Sequence, residues 1–287
     1  MQIGISRERI FTMNSTSFIS FIFVILLACT FGLYAQNDIV KKEFVPLVGQ
    51  DGRDVRWIPT PYELVNKMLE MAEIKSNDYL IDLGSGDGRM VIAAAKLGAH
   101  ALGIEYNPEM VELSKRNAKE AGVSDKTDFI QTDLFNYDLS KATVITMFLL
   151  PEINLKLRPR FLDLKPGTRI VSNTFSMDDW EPDYEDLTEE NWDSWYTALM
   201  WIVPAKVEGI WKLQKGELTI HQEFQKIYGT FTSNNKTSLI NSGRLYGDHI
   251  TFSIDGTEYT GHVNSKTNMG GTAKKGISKK GWFAIRQ

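Results

Sequence analysis

Three glycines at alternate positions, Gly84, Gly86 and Gly88, follow the apolar run Tyr79–Leu83 in YLIDLGSGDGRMV. Asp82 lies inside that run, Glu105 closes a second apolar run, and Asp133 follows a third in QTDLF. Glycine lets a backbone turn sharply and lie close to a ligand. A helix that starts after such a turn offers unpaired N–H groups at its first residues. Carboxylates at strand ends accept hydrogen bonds from hydroxyl, amino and ammonium groups. These residues therefore read as one binding rim, at the strand ends where open α/β sheets hold their ligands.

Two ligand classes use a glycine turn after a first strand. A dinucleotide needs G-x-G-x-x-G to approach its pyrophosphate, and here Arg89 stands in the sixth position. No lysine follows the turn, so the GxxxxGK[ST] phosphate loop is absent as well. S-adenosylmethionine carries no phosphate and needs room for an amino acid end, a ribose and an adenine. Asp82 is placed for the methionyl ammonium, with Asp87 as a further polar contact and Ser85 beside it. Glu105, 23 residues after Asp82, suits the two ribose hydroxyls. Asp133 suits the adenine amino group, with Leu134 next to it. Taken singly, Asp82 could cap a helix, Glu105 could bind the ribose of NAD, and Asp133 could belong to a turn. Their order and spacing together favour S-adenosylmethionine.

The elements that must position this rim alternate. WIPTPYELVNKMLEMAEI predicts a helix with Thr60 as cap, Pro61 in the first turn and Glu63 completing a capping box. A strand over 79–83, a helix over 90–97, a strand over 101–105 and a helix from Pro108 to the stop at Gly122 follow. Strands are expected over 127–131, 142–148 and 168–172, with PEINLKLRPRFLDL a helix broken at Pro159. Uniformly apolar strands between helices call for a parallel sheet covered on both faces. Beyond residue 205 the pattern changes to short, glycine-punctuated strands: 216–224, 227–231, 237–240, 249–254, 258–263 and 282–285. These predict a small antiparallel sheet or barrel.

The 287 residues carry a net charge of −4, so nothing global points to nucleic acid. The single cysteine, Cys29, excludes a disulfide framework and a cysteine-based zinc site. The four histidines form no local cluster, and no metal site is expected. Phe18 to Ala35 is an eighteen-residue run without a charge. It reads as a signal cleaved before Gln36, as an uncleaved anchor, or as a lipoprotein leader at Cys29. A start at Met13 would remove Arg7 and Arg9 and leave Lys41, Lys42, Arg53 and Arg56 behind the run, the pattern of a body that stays cytoplasmic.

YLIDLGSGDGRMVIAAA, ALGIEYNPEMV and TDLF resemble the donor-side motifs of class I S-adenosylmethionine-dependent methyltransferases. WIPTP, DLGSGDGR, MFLLPEINLKLRPRF, GTRIVSNTF and MDDW are similar, more narrowly, to the small membrane-associated protein-lysine methyltransferases of mitochondria and their bacterial relatives. The resemblance covers roughly residues 56–205. It implies a Rossmann-like sheet, a donor loop of Asp82, Gly84 and Gly86, a ribose contact at Glu105 and an adenine contact at Asp133. Thr60 and Pro61 would border the donor pocket. The mitochondrial members methylate lysines of inner-membrane proteins, and the C-terminal tail departs from their pattern.

The expected layout is a signal peptide or membrane anchor over 1–36, a linker over 37–56, the methyltransferase domain over 57–205 and the β domain over 206–287. The acceptor side is expected beyond the fourth and fifth strands, at Phe148, Leu149, Leu150 and Pro151, then Asn173, Phe175 and Trp180. Nine acids from Asp178 to Asp193, without a Lys or Arg, read as a solvated loop or as a lid that draws in a cationic acceptor. Lys266, Lys274, Lys275, Lys279 and Lys280 read as solvated turns or as a contact for anionic lipid or polymer. The expected activity is methyl transfer to a protein lysine. The alternatives are a small-molecule or lipid acceptor, and an exported binding module without catalysis. The expected partner is a methyl-acceptor protein or small molecule, with membrane association, no nucleic acid and a monomeric chain. The body would be membrane-associated or exported, and would face the cytoplasm if active.

Overall fold

A computed structural model of the chain describes residues 43–187 and 197–287. The expected leader over 1–36 lies outside the described residues. Among those described, no helix is long and apolar enough to cross a membrane.

Seven strands form the first sheet: β1 (Tyr79–Leu83), β2 (His100–Glu105), β3 (Thr127–Gln131), β4 (Val144–Met147), β5 (Arg169–Asn173), β6 (Tyr184–Leu187) and β7 (Thr197–Ile202). Their order is β3-β2-β1-β4-β5-β7-β6. The first five are parallel; β7 runs antiparallel to β5 and β6 antiparallel to β7. The five strands read from sequence are parallel as expected, and β7 and β6 extend the sheet beyond β5 as two antiparallel strands that the sequence reading did not include. The chain order reverses between β1 and β4, so a crevice opens beyond their C-terminal ends.

Successive strand residues point to opposite faces, and the sequence fills both. Leu80, Ala101, Val144 and Val171 pack under helices α1 (Tyr62–Met71), α2 (Arg89–Lys96) and α3 (Pro108–Glu120). Ile81, Leu102, Ile145 and Ile170 pack against α4 (Pro151–Leu162) through Ile153, Leu157 and Phe161. The helix does not break at Pro159. Proline there removes one hydrogen bond, but Leu157 and Phe161 on either side are wholly buried and keep the helix on the sheet. Thr60 is not the cap of α1 either: Pro61 holds that position and no side chain caps it.

The second layer of the fold is a closed barrel of eight antiparallel strands, β8 (Gly209–Leu213), β9 (Gly216–Glu223), β10 (Lys226–Ser233), β11 (Lys236–Tyr246), β12 (His249–Ile254), β13 (Thr257–Val263), β14 (Asn268–Lys275) and β15 (Ser278–Arg286). Sequence pattern alone missed β8 and β14, where glycine and lysine interrupt the alternation. Trp211, Leu218, Ile250, Phe252, Met269 and Trp282 are among the buried residues that fill the interior, as a barrel of this strand number allows. The chain is thus an α/β Rossmann-like sheet with helices on both faces, followed by an antiparallel β-barrel.

Turns at one end of the barrel meet the sheet. Ala205 N–H donates to Gly247 O at 2.8 Å, and Gln225 Nε2 donates to Glu181 O at 2.8 Å. Arg244 Nη2 reaches Asp183 Oδ1 at 2.6 Å, and Phe224 stacks on Trp180 with ring centroids 5.8 Å apart.

Candidate active site

A cavity of about 500 Å³ opens at the C-terminal ends of β1, β2 and β4. Its floor is the glycine turn. Gly84, Gly86 and Gly88 all take positive φ, at 76°, 53° and 82°, a region that side chains with a Cβ rarely adopt. Gly84 and Ser85 both donate their N–H to Ile104 O, which pins the turn to β2. Ser85 is buried and its Oγ finds no hydrogen-bond partner among the described residues.

Three carboxylates surround this floor, each held differently. Asp82 is buried and accepts a hydrogen bond from Thr146 Oγ1 at 2.7 Å. Burial pushes its pKa up to about 7, and the negative charges of Glu105 and Asp87 add to that. Glu105 accepts the N–H groups of Gly86, Tyr106 and Asn107 at 3.0, 2.8 and 2.9 Å. Asp133 accepts Phe135 N–H at 2.9 Å and Arg53 Nη1 at 2.6 Å. Those bonds, the one from Phe135 N–H first, lower its pKa below the ordinary carboxylate value.

The residues expected to be an irregular linker form a strap along this cavity. Gly49 N–H donates to Trp57 O, Trp57 N–H returns to Gln50 O, and Gly52 N–H donates to Val55 O, a tight hairpin. Arg53 lies over the Tyr106 ring at 4.5 Å while it pairs with Asp133. The Trp57 indole lies against Gly86 so closely that an added Cβ would sit 2.5 Å from its Nε1. The strap continues into Thr60, whose carbonyl accepts Arg89 Nη1 at 2.8 Å and whose hydroxyl accepts Asn173 Nδ2 at 3.3 Å. Arg89 also donates to both carboxylate oxygens of Asp87. The residue that displaces a third glycine thus ties the glycine turn to the start of α1. Sequence reading named neither Arg53 nor Trp57 as a site residue; Trp57 opens the WIPTP motif, and Arg53 lies four residues before it.

Opposite the acids, the cavity wall becomes apolar. Met147, Phe148, Leu149, Leu150, Ile153 and Phe175 line it. Phe148 and Phe175 stack with centroids 6.1 Å apart and planes 22° from parallel. Phe175 is presented by a turn in which Thr174 takes φ 61°. Ser172 Oγ and Asn154 Nδ2 both donate to Phe175 O and fix that turn.

Of the residues expected from sequence, Thr60, Asp82, Gly84, Ser85, Gly86, Asp87, Glu105, Asp133, Leu134, Phe148 and Phe175 line this one cavity. Pro61, Pro151, Asn173 and Trp180 do not. Pro61 and Pro151 begin α1 and α4. Asn173 is wholly buried and holds Thr60 and Thr174. Trp180 is corrected from an acceptor contact to a core residue: it is wholly buried between Trp201 and Phe224. The acidic lid is corrected in part. Asp179, Glu181, Asp183 and Asp186 each pair with a cation of the fold, namely Arg158, Lys226, Arg244 and Lys67. Residues 188–196 lie outside the described ones.

The sequence matches the family of the ANTKMT methyltransferase domain over residues 82–184. It is 38% identical over 152 residues to a protein-lysine N-methyltransferase of Saccharolobus islandicus (strain REY15A), covering 52% of this chain and 94% of that protein. The chain belongs to this protein-lysine N-methyltransferase family. The adenine nucleotide translocase lysine N-methyltransferase of Mus musculus is 36% identical over 140 residues, covering 48% of this chain and 56% of that one. The methyltransferase thus spans little more than half the length of this mouse relative. Among solved structures, an RNA methyltransferase from Salinibacter ruber in complex with S-adenosyl-L-homocysteine is 47% identical, with TM-score 0.49, over 52% of this chain and 96% of that chain.

The protein is an S-adenosylmethionine-dependent methyltransferase, and its cavity suits that donor. Asp82 is a buried carboxylate with no cation partner among the described residues, the environment that an ammonium would relieve. A pyrophosphate would face Asp82, Glu105 and Asp133 with like charge. The family membership sets the non-catalytic alternative aside.

Proposed function

We propose that the methyltransferase acts on a lysine amine of a protein, admitted along the wall formed by Phe148 and Phe175. The cavity carries this reading. It joins the acid-lined donor floor to an apolar, aromatic wall without a break. The 38% identity to a protein-lysine methyltransferase over nearly its whole length supports the same acceptor.

Bound S-adenosylmethionine supplies a methyl group already activated by a positive sulfur. The chain's task is then alignment and exclusion of water. Asp82, Glu105 and Asp133 would hold the ammonium, ribose and adenine ends in line along the rim. The Phe148–Phe175 wall would strip water from an entering lysine. A lysine ammonium has an ordinary pKa of about 10.4, and apolar surroundings lower it toward the neutral, nucleophilic amine. No histidine lines the cavity, so the wall's desolvation takes the place of a base in this reading. Membrane association of the acceptor or of the enzyme belongs to the same proposal, supported by the uncharged run Phe18–Ala35.

The test is transfer of isotopically labelled methyl from S-adenosylmethionine into protein and RNA fractions of the native host, with mass spectrometry of the labelled protein. Methyl-lysine in protein is expected. Phe148→Ala should lower turnover by at least about tenfold while donor affinity holds, since it removes alignment at the acceptor side only. Label confined to RNA, lipid or small molecules would overturn the reading.

A further inference from the structure

The barrel has two ends. The turns at Phe224–Gln225 and Gly247 meet the sheet. Alternate turns of a meander lie at the opposite end, so the tips at Asn234–Asn235, Asp255–Gly256 and Gly276–Ile277 face away from it. The last of these tips, in KKGISKKG, is unusual in composition. Ile277 is fully exposed at the turn itself. Lys274, Lys275, Lys279 and Lys280 flank it, all exposed, and none makes an ion pair among the described residues. Lys275 Nζ donates to the carbonyl of Asp255. The Asp255 carboxylate, which could have neutralised the tip, is taken by Lys236 and Ser238.

The register makes the arrangement costly. Lys274 stands opposite Glu258 across β13 and β14 but opposite Lys279 across β14 and β15, and like charges placed as in the second pair weaken a hairpin. A fully exposed aliphatic at a turn, where glycine or asparagine would serve, adds nothing to the barrel's core. A surface that supplies anions around a thin apolar layer relieves both features at once.

We infer that the β14–β15 tip docks on a bilayer surface of anionic phospholipid, Ile277 entering the interfacial layer while the four lysines meet headgroup phosphates. Each lysine near such a surface strengthens attachment by about fivefold, and a short apolar group anchors by entering the headgroup boundary. A nucleic acid fits less well, because the tip has no aromatic ring for base stacking and the protein as a whole is acidic, with a net charge of −4. The uncharged run Phe18–Ala35 in the same chain is a second feature suited to a bilayer.

The experiment reads the tip and not the N-terminal run. The full chain carrying Cys29→Ser and Ile277→Cys is labelled at the new thiol with nitrobenzoxadiazole and reconstituted in vesicles. One set is phosphatidylcholine alone; the other holds equal parts of phosphatidylcholine and phosphatidylglycerol. A blue-shifted emission, at least about twofold brighter, is expected only with phosphatidylglycerol. It should vanish in about 1 M salt, where screening acts within ~3 Å. Reversal of all four lysines to glutamate should abolish it while the near-ultraviolet circular dichroism of the buried barrel tryptophans Trp211 and Trp282 stays native, which shows that the barrel is intact. The same spectrum in both vesicle types, or a response that survives the charge reversal, would overturn the inference. So would a response to a short single-stranded RNA with none to the vesicles.

Discussion

Arg53 Nη1 lies 2.6 Å from Asp133 Oδ2, and its guanidinium covers the Tyr106 ring at 4.5 Å. The strap and the Asp133 carboxylate are thereby joined across the cavity. Asp133 keeps one interaction with its own turn, through Phe135 N–H, and one with the strap. Arg53 is therefore expected to retain the donor by holding the strap down. Arg53→Ala should speed S-adenosylmethionine release by about two- to fivefold, the range open to a single exposed pair. Stopped-flow displacement measures this. An unchanged release rate would mean that the Arg53–Asp133 pair does not help to retain the donor.

Gly86 and Gly88 separate binding from stability. A Cβ on Gly86 meets the Trp57 indole of the strap, at 2.5 Å. One on Gly88 meets Phe129 and Ser114, at 2.9 Å, inside the packing of α2, α3 and β3. Gly86→Val should abolish donor binding in calorimetry while the circular dichroism spectrum stays native. Gly88→Ala should instead lower stability, by about 1–3 kcal/mol for overpacking and strain. Normal donor affinity in a folded Gly86→Val protein would remove the glycine turn from the site.

The parts of this site readable from sequence were those with a strict local cause. Gly84, Gly86, Asp82 and Glu105 sit at fixed offsets from strands whose apolar runs mark them, so their shared rim followed from topology. Phe148 and Phe175 were reachable because each follows a strand end on the same rim. Arg53, Trp57 and Trp180 were not, since their places depend on partners 80, 29 and 44 residues away (Asp133, Gly86 and Phe224). The barrel's closure is of the same kind. β8 and β15 pair across most of the domain, and a period-2 pattern cannot announce which strand completes the ring. Pro159 misled for a related reason: its local cost is real, but burial of Leu157 and Phe161 outweighs it.

Arg244 and Asp183 join the barrel to the sheet. The Asp183 side chain is wholly buried, accepts Ile202 N–H at 2.9 Å and pairs with Arg244 at 2.6 Å. Burial raises its pKa, against those two partners. Removing only the cation leaves a buried carboxylate unpaired, which costs about 3 kcal/mol or more. Arg244→Ala should therefore lower the melting temperature by roughly 10 °C. Asp183→Asn, which keeps a hydrogen-bonding group without the charge, should cost less. Scanning calorimetry of both variants decides it; equal losses would show that the charge itself is not what the contact serves.

Asp82 sets a pH dependence for the donor-free enzyme and for donor binding. Its pKa is about 7 in the fold against an ordinary 3.8. A carboxyl that keeps its proton longer when folded costs the folded state stability as pH rises between those values. Donor-free protein should thus lose stability from about pH 4 to about pH 7, reported by denaturant titration, and Asp82→Asn should flatten that slope. Donor binding works in the other direction. An ammonium facing Asp82 favours the ionised carboxylate, so binding below about pH 7 expels a proton and affinity rises with pH, by up to about tenfold per unit. Above pH 7 this contribution levels off. Titration calorimetry in buffers of different protonation enthalpy reads the released proton directly, and comparison with Asp82→Asn cancels whatever the ligand itself contributes. If wild type and Asp82→Asn share one pH profile and release the same number of protons, Asp82 does not face the ammonium.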